Sequence, residues 1–174
     1  MAKLKDILAQ TLLGTPFFDF KPFYYARRNY YHRQFNMEKW CAIQHGVKIY
    51  CFHDDIFNGD IKFGKNCSIG WDVTIDYSGG IEFGTNVRIS HEARIYTHDH
   101  IVKDKNIRLF NQGHKATRLK VGDDVWIGEG SFILPQVKSI GNGAIIGARS
   151  VVSEDIKEYD IVAGNPARKV SERK

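Results

Sequence analysis

An aliphatic or aromatic residue returns every six positions along two long stretches of this chain. Phe63, Ile69 and Ile75 form one series, and Phe83, Ile89 and Ile95 form the next. Ile127 and Ile133 form a third, then Ile140, Ile146 and Val152 a fourth. Four positions after most of these stands a small or branched residue: Cys67, Val73, Val87, Ala93, Ser131, Val137, Ala144 and Ser150. A six-residue period matches neither the turn of a helix, about 3.6 residues, nor the alternation of a strand. It is the signature of a solenoid whose short strands meet at tight corners, each coil burying its apolar residues on the next. Three six-residue faces make a triangular coil of eighteen residues.

Departures from the period mark the organisation. Residues 2–13 read as a short amphipathic helix with Ile7, Leu8, Thr11 and Leu12 on one face, broken at Gly14-Thr15-Pro16. From Phe17 to Phe35 nine Phe/Tyr residues interleave with Lys21, Arg27, Arg28 and Arg33. Such interleaving can stack bases, but the favoured reading is an aromatic flank packed on the first coil, and no nucleic-acid partner is expected. The coils begin between Ile43 and Phe57. The phase slips by two residues at Asp76-Tyr77-Ser78-Gly79-Gly80, where a glycine pair lets a corner bulge. Residues 100–118 lose the period altogether, and long aperiodic loops in compact domains are commonly functional. Repeats resume at Leu119-Lys120-Val121-Gly122, gain one residue at Ser139, and stop near Gly164-Asn165-Pro166. This divides the chain into a flank at 1–40, a coil domain at 41–170 carrying the loop 100–118, and a tail at 171–174.

Length and composition fit one domain: 174 residues with 43% hydrophobic content can build a substantial core. No run approaches the ~20 apolar residues that cross a bilayer. Asp6, Gln10 and Thr11 interrupt the apolar start, so secretion is not expected. Cys41, Cys51 and Cys67 lack a metal-ligand spacing and read as buried reduced thiols of a cytoplasmic protein. The formal charge of +5 is unevenly placed, with +4 in residues 1–40 and +4 in residues 101–118. A basic excursion beside a candidate site favours anionic ligands such as phosphates, although a solvated surface accounts for it equally.

Four features together resemble the hexapeptide-repeat acyltransferases. They are the repeats, Thr97-His98-Asp99-His100 opening the excursion, Asp124-Val125-Trp126-Ile127-Gly128 closing it, and Gly164-Asn165-Pro166-Ala167-Arg168 at the end. The order is similar to that of the maltose and galactoside O-acetyltransferases, and more closely to the O-acetyltransferases of exopolysaccharide and capsule synthesis. The resemblance covers roughly residues 57–170. It implies an all-β solenoid, a left-handed parallel β-helix with a protruding active-site loop. It also implies a homotrimer with acetyl-CoA as donor in a groove between subunits, and no required metal.

Moving an acetyl group from a thioester to a sugar hydroxyl needs a base for the hydroxyl proton and donors for the developing oxyanion. His98 is the candidate base, since imidazole titrates near neutral pH, and it matches the family's histidine in the same Thr-His context. No Ser or Cys stands in a nucleophile motif, so direct transfer is expected. His100 lies two residues on and points the same way in an extended segment. The resemblance implies that Asp76 stands near the acceptor hydroxyl, there to bind the sugar or fix the base's tautomer. It implies a groove in which Trp126 and Ala148 flank the pantetheine arm, Ser153 replaces a Thr, and Arg168, assisted by Lys169, meets the nucleotide phosphates. The family's Asn one coil before the histidine has no match, Ile69 or Gly70 falling there, so the acceptor's identity is open.

The expected acceptor is a saccharide, free, nucleotide-linked or lipid-linked; the aromatic-basic segment 17–35 suggests peripheral membrane contact in the last case. N-transfer to an amino sugar is the alternative within the family. Two further classes compete: a non-catalytic scaffold, and a metal enzyme like the left-handed-helix carbonic anhydrases. The second expects a His-x4-His pair, and His91, His98, His100 and His114 do not supply one.

Overall fold

The computed structural model describes residues 4–38, 40–52 and 56–174. The chain passes in rotation through three parallel sheets. The first holds Ala42–Ile43, Ser68–Ile69, Arg88–Ile89, Trp126–Ile127, Ile145–Ile146 and Asp160–Gly164. The second holds Lys48–Tyr50, Thr74–Asp76, Arg94–Ile95, Phe132–Ile133 and Val151–Val152. The third holds Ile61–Phe63, Ile81–Phe83, Leu119–Val121 and Ser139–Ile140, extended by a bridge from Ile140 to Ile156. Each pass hydrogen-bonds to the one before it.

The six-residue period becomes columns of buried side chains. Ile43, Ile69, Ile89, Ile127, Ile146 and Val162 line up inside the first sheet, and Ile49, Ile75, Ile95, Ile133 and Val152 inside the second. Phe63 and Phe83 stack in the third with ring centroids 4.9 Å apart. The small residues four positions later are buried at the corners. Burying each such aliphatic side chain contributes about 1.5–3 kcal/mol. Corners stay tight because one residue per turn adopts a left-handed backbone: Gly46, Asp72, Glu92, Gly130 and Arg149 between the first and second sheets, and Asn66, Asn86, Asp124, Gly143 and Tyr159 between the third and first.

The two irregularities in phase have physical causes. Phe63 pairs with Phe83 and Ile69 with Ile89, two residues more than an eighteen-residue coil. The surplus lies at Gly79-Gly80, where the returning backbone of Thr117 passes 2.3 Å from the place a Gly79 Cβ would occupy. The residue added at Ser139 likewise sets Ile127 opposite Ile146.

The N-terminal region differs from expectation. The helix expected at 2–13 is present as α1, Leu4–Leu13, while residues 2 and 3 and the Ile7 side chain lie outside what is described. A second helix, α2, spans Lys21–Gln34, the segment read as an aromatic flank. It docks through Arg27 and Tyr31, one turn apart and both buried, with Phe35 just beyond; the Tyr31 hydroxyl donates to the Val47 carbonyl at 2.6 Å. Most of its other aromatic rings stay at least partly exposed. The tail expected at 171–174 begins later: Ala167–Glu172 turns back antiparallel on Asp160–Gly164, so Ser171 and Glu172 belong to a strand. Cys41, Cys51 and Cys67 are free and buried. Among the described residues no helix is long and apolar enough to cross a membrane.

Candidate active site

Asp76 ends the second-sheet strand of one pass, and Thr97 and His98 follow the second-sheet strand of the next, with Ile75 opposite Ile95. That register turns three consecutive features of the upper pass onto one carboxylate. Asp76 is fully buried, and its Oδ2 accepts the backbone N–H groups of Thr97 and His98, each at 3.1 Å. The same oxygen lies 2.6 Å from His98 Nδ1. A carboxylate oxygen here can only accept, so Nδ1 carries the proton and Nε2 keeps a free lone pair. Oδ1 accepts from the Ser78 backbone at 3.1 Å and from the Ser78 hydroxyl. Five donors therefore satisfy a group that would be costly to bury unpaired.

Two more groups hold the assembly. The Thr97 hydroxyl donates to the Asp76 carbonyl at 2.9 Å and accepts from Gly79 N–H at 2.8 Å. Phe52, from the first pass, lies flat on the His98 ring with centroids 4.4 Å apart and planes within 4°. Its backbone N–H donates to Ser78 Oγ at 2.7 Å, so Ser78 links the stacked ring to the carboxylate. Phe52 and Ser78 were not singled out from sequence. Phe52 falls where the period is ragged, and Ser78 sits inside the slip read only as a bulge.

The excursion opens as a two-stranded antiparallel ribbon, His98–His100 with His114–Ala116. His100 and His114 are cross-strand partners with ring centroids 4.6 Å apart. His100 stands edge-on to His98 at 6.1 Å, and the hydrogen bond that fixes the His98 ring comes from Asp76. Beyond the ribbon, Gln112 ties the loop by bonding Asp104 and Ile107, while Ile101, Val102, Ile107, Leu109 and Phe110 are exposed, Phe110 at 94%. Among the described residues no cluster of His, Cys, Asp and Glu is arranged to hold a metal.

The residues assigned to the donor lie elsewhere on the coil. Trp126 stands on the outer side of the first sheet, half-exposed, its indole N–H donating to Ser90 Oγ at 2.9 Å. Ala148 is exposed on the corner between the first and second sheets, one pass later, and Ser153 directly follows the last second-sheet strand. Arg168, on the returning strand, is exposed and 3.6 Å from Glu154. Lys169 is held by Asp160 at 2.6 Å and Glu172 at 2.7 Å, and those hydrogen bonds, Asp160 first, raise its pKa. Its charge is thus compensated within the chain, whereas the Arg168 contact is longer and looser.

No family model matches the chain. Over 120 residues it is 49% identical to a chloramphenicol acetyltransferase of Escherichia coli, a match covering 69% of this chain and 54% of that protein. The chain spans about half, or less, of the length of the first curated relatives it matches. In structure it is similar to a maltose O-acetyltransferase from Clostridium difficile 630, with TM-score 0.74, 27% identity, and coverage of 95% of this chain and 83% of the other. It also shares its fold with a hexapeptide-repeat acetyltransferase of Vibrio cholerae O1 biovar eltor complexed with acetyl-CoA, with TM-score 0.70, 23% identity, and coverage of 100% and 92%. The chain thus shares its fold, over nearly its whole length, with these two acetyltransferases, and over 120 residues its sequence is similar to a chloramphenicol acetyltransferase.

Proposed function

We propose that the chain is an acetyl-CoA-dependent O-acetyltransferase that acts on a saccharide hydroxyl by direct transfer. The observation that carries this reading is the buried Asp76 carboxylate holding His98 Nδ1, which leaves Nε2 as a base at the mouth of the excursion. Acetyl-CoA supplies an activated acyl carbon. His98 Nε2 takes the acceptor hydroxyl proton as that oxygen attacks; the new C–O bond forms, the C–S bond breaks, and the proton passes to the departing thiolate. Such general-base help contributes about 10²–10⁴-fold in rate. The small Ala148 side chain leaves room for a slender arm, and Arg168 offers a guanidinium suited to phosphate.

The same reading takes the coil as left-handed, the exception to the usual crossover preference, and the working form as a homotrimer. Topology supports association. His98 lies past the second sheet, at the corner leading to the third, while Trp126 lies outside the first. A three-sided coil sets that corner opposite that face, with the core between, so base and donor groove meet through a second copy. The apolar tip of the excursion also suits burial against another subunit. The same proposal includes a cytoplasmic location and a role in polysaccharide synthesis.

One observation favours a second acceptor: the 49% identity to a protein named for chloramphenicol. The experiment is calorimetry with acetyl-CoA and dephospho-CoA, followed by thiol release with a panel of neutral, acidic and amino sugars plus chloramphenicol. Tighter binding of acetyl-CoA than of the dephospho form, and thiol release with a sugar, support the proposal. No binding of either nucleotide rejects the transferase, and release with chloramphenicol alone replaces the acceptor.

A further inference from the structure

The outer side of the first sheet carries a cavity of about 250 Å³ bordered by Gln44, Ser68, Arg88, Ser90, His91 and Trp126. Strand register explains its walls. Arg88 stands directly between Ser68 and Trp126 on neighbouring strands, each about 4.8 Å away along the hydrogen-bonding direction. The Ser90 hydroxyl fixes the Trp126 indole. Gly70 keeps the floor low, since a Cβ there would meet His91 Nδ1 at 2.5 Å. His91 Nδ1 accepts the Trp71 backbone N–H at 3.1 Å, so its imidazole is anchored too.

The polar groups in this groove are uneven in sign. None of its lining residues is acidic, and the Arg88 guanidinium has no ion pair or side-chain hydrogen bond with any described residue. Arg118 and Arg173, by contrast, are paired with Asp60 and Asp124. A guanidinium presents a planar fork matched to carboxylate or phosphate oxygens, and hydroxyl and amide neighbours complete the complement of a sugar ring.

We infer that this groove is the acceptor subsite and that Arg88 selects a saccharide bearing an anionic oxygen group, a carboxylate or a phosphate. The inference rests on the transferase reading. There the donor runs from Arg168 past Ala148 to Trp126, so its acyl end stops one strand short of Arg88. The acceptor hydroxyl must lie against that end, and Ser68, Ser90 and Gln44 hold the rest of the ring.

The test titrates D-glucuronate, D-glucose 6-phosphate and D-glucose into the full-length protein and its Arg88→Gln variant, both loaded with CoA. Acetyl-CoA is titrated separately into each protein without sugar. Wild type is expected to prefer one or both anionic sugars over glucose, and Arg88→Gln to weaken them about tenfold to a hundredfold with acetyl-CoA affinity unchanged. The comparison of glucuronate with glucose 6-phosphate identifies the anionic group. Equal binding of all three sugars, absent anionic-sugar binding, or anionic binding unaffected by the variant overturns the inference. A variant that weakens acetyl-CoA instead assigns Arg88 to the donor and also overturns it. Failure of wild type to bind acetyl-CoA is a separate result that removes the transferase reading itself. Should Arg88→Gln fold poorly by its melting curve, Arg88→Lys serves: it keeps the charge, loses the fork, and should weaken anionic sugars by a smaller factor.

Discussion

The buried Asp76 carboxylate has little spare capacity for error, because four of its five donors come from a fixed backbone or an anchored ring and only the Ser78 hydroxyl can rotate. Asp76→Asn keeps the shape but replaces one acceptor by an NH₂ group. That group faces either Ser78 N–H or the cluster of Thr97, His98 and imidazole N–H groups, and each arrangement sets donor against donor. The imidazole is then free to flip tautomer and present Nε2–H to the acceptor. Expected is a fall of about 10²–10⁴-fold in kcat with the acetyl-CoA Kd nearly unchanged, together with about 1–3 kcal/mol lost from stability. Thiol-release kinetics beside urea denaturation check both. Full kcat in a folded Asp76→Asn protein would detach the carboxylate from the chemistry.

At the scale of elements, the two helices do for the first pass what a preceding pass would otherwise do. Gln10 from α1 uses its amide as a strand surrogate, donating to the Ile49 carbonyl and accepting the Ile49 N–H, each at 2.9 Å. Arg27 from α2 reaches through the layer to the Ile43 and Leu13 carbonyls and meets Asp19 at 2.8 Å. Burial pushes the Asp19 carboxyl up, but the Arg27 hydrogen bond and the His45 and Arg27 charges outweigh it and hold the pKa below 3.8. A depressed folded pKa gives stability that is present above the unfolded value and lost as pH falls through the folded one. Acid should therefore loosen this layer below about pH 4, and Asp19→Asn should remove that part of the pH dependence while lowering stability at neutral pH. Hydrogen exchange of the α2 amides from pH 6 to pH 3 tests it; identical profiles in wild type and variant would contradict the pair's role. The same elements explain what was legible. The coil columns were plain in the sequence because each face contributes one buried aliphatic per six residues. Helix α2 was not, because its docking face is Arg27 and Tyr31, a charged and a polar-tipped residue with no apolar stripe. His98 was visible through its motif and Asp76 through the resemblance. Phe52 reaches His98 only through stacking between passes, and Ser78 meets Asp76 two residues on, inside a slip that reads as no more than a bulge.

On the scale of the whole molecule, the fold separates the two halves of the proposed reaction. Strands Arg94–Ile95 and Trp126–Ile127 belong to successive passes, so His98 and Trp126 are close along the coil axis yet on opposite sides of a packed core. Either each chain works alone with a donor that never approaches Trp126, or each site joins the histidine of one copy to the groove of the next. Two inactive variants distinguish these: His98→Ala, which lacks the base, and Ala148→Trp, which blocks the arm. If sites are shared, random mixing in a cyclic oligomer places an intact histidine beside an intact groove at about one quarter of the interfaces. Co-expressed variants should then regain roughly a quarter of wild-type thiol release, with light scattering giving the mass of three 19.9 kDa chains. If each chain holds a complete site, no mixture regains activity, because every chain carries one defect. Recovery would also place the reaction in the seam: the base lies on one subunit, the acyl end against Trp126 on the other, and the bond forms between them.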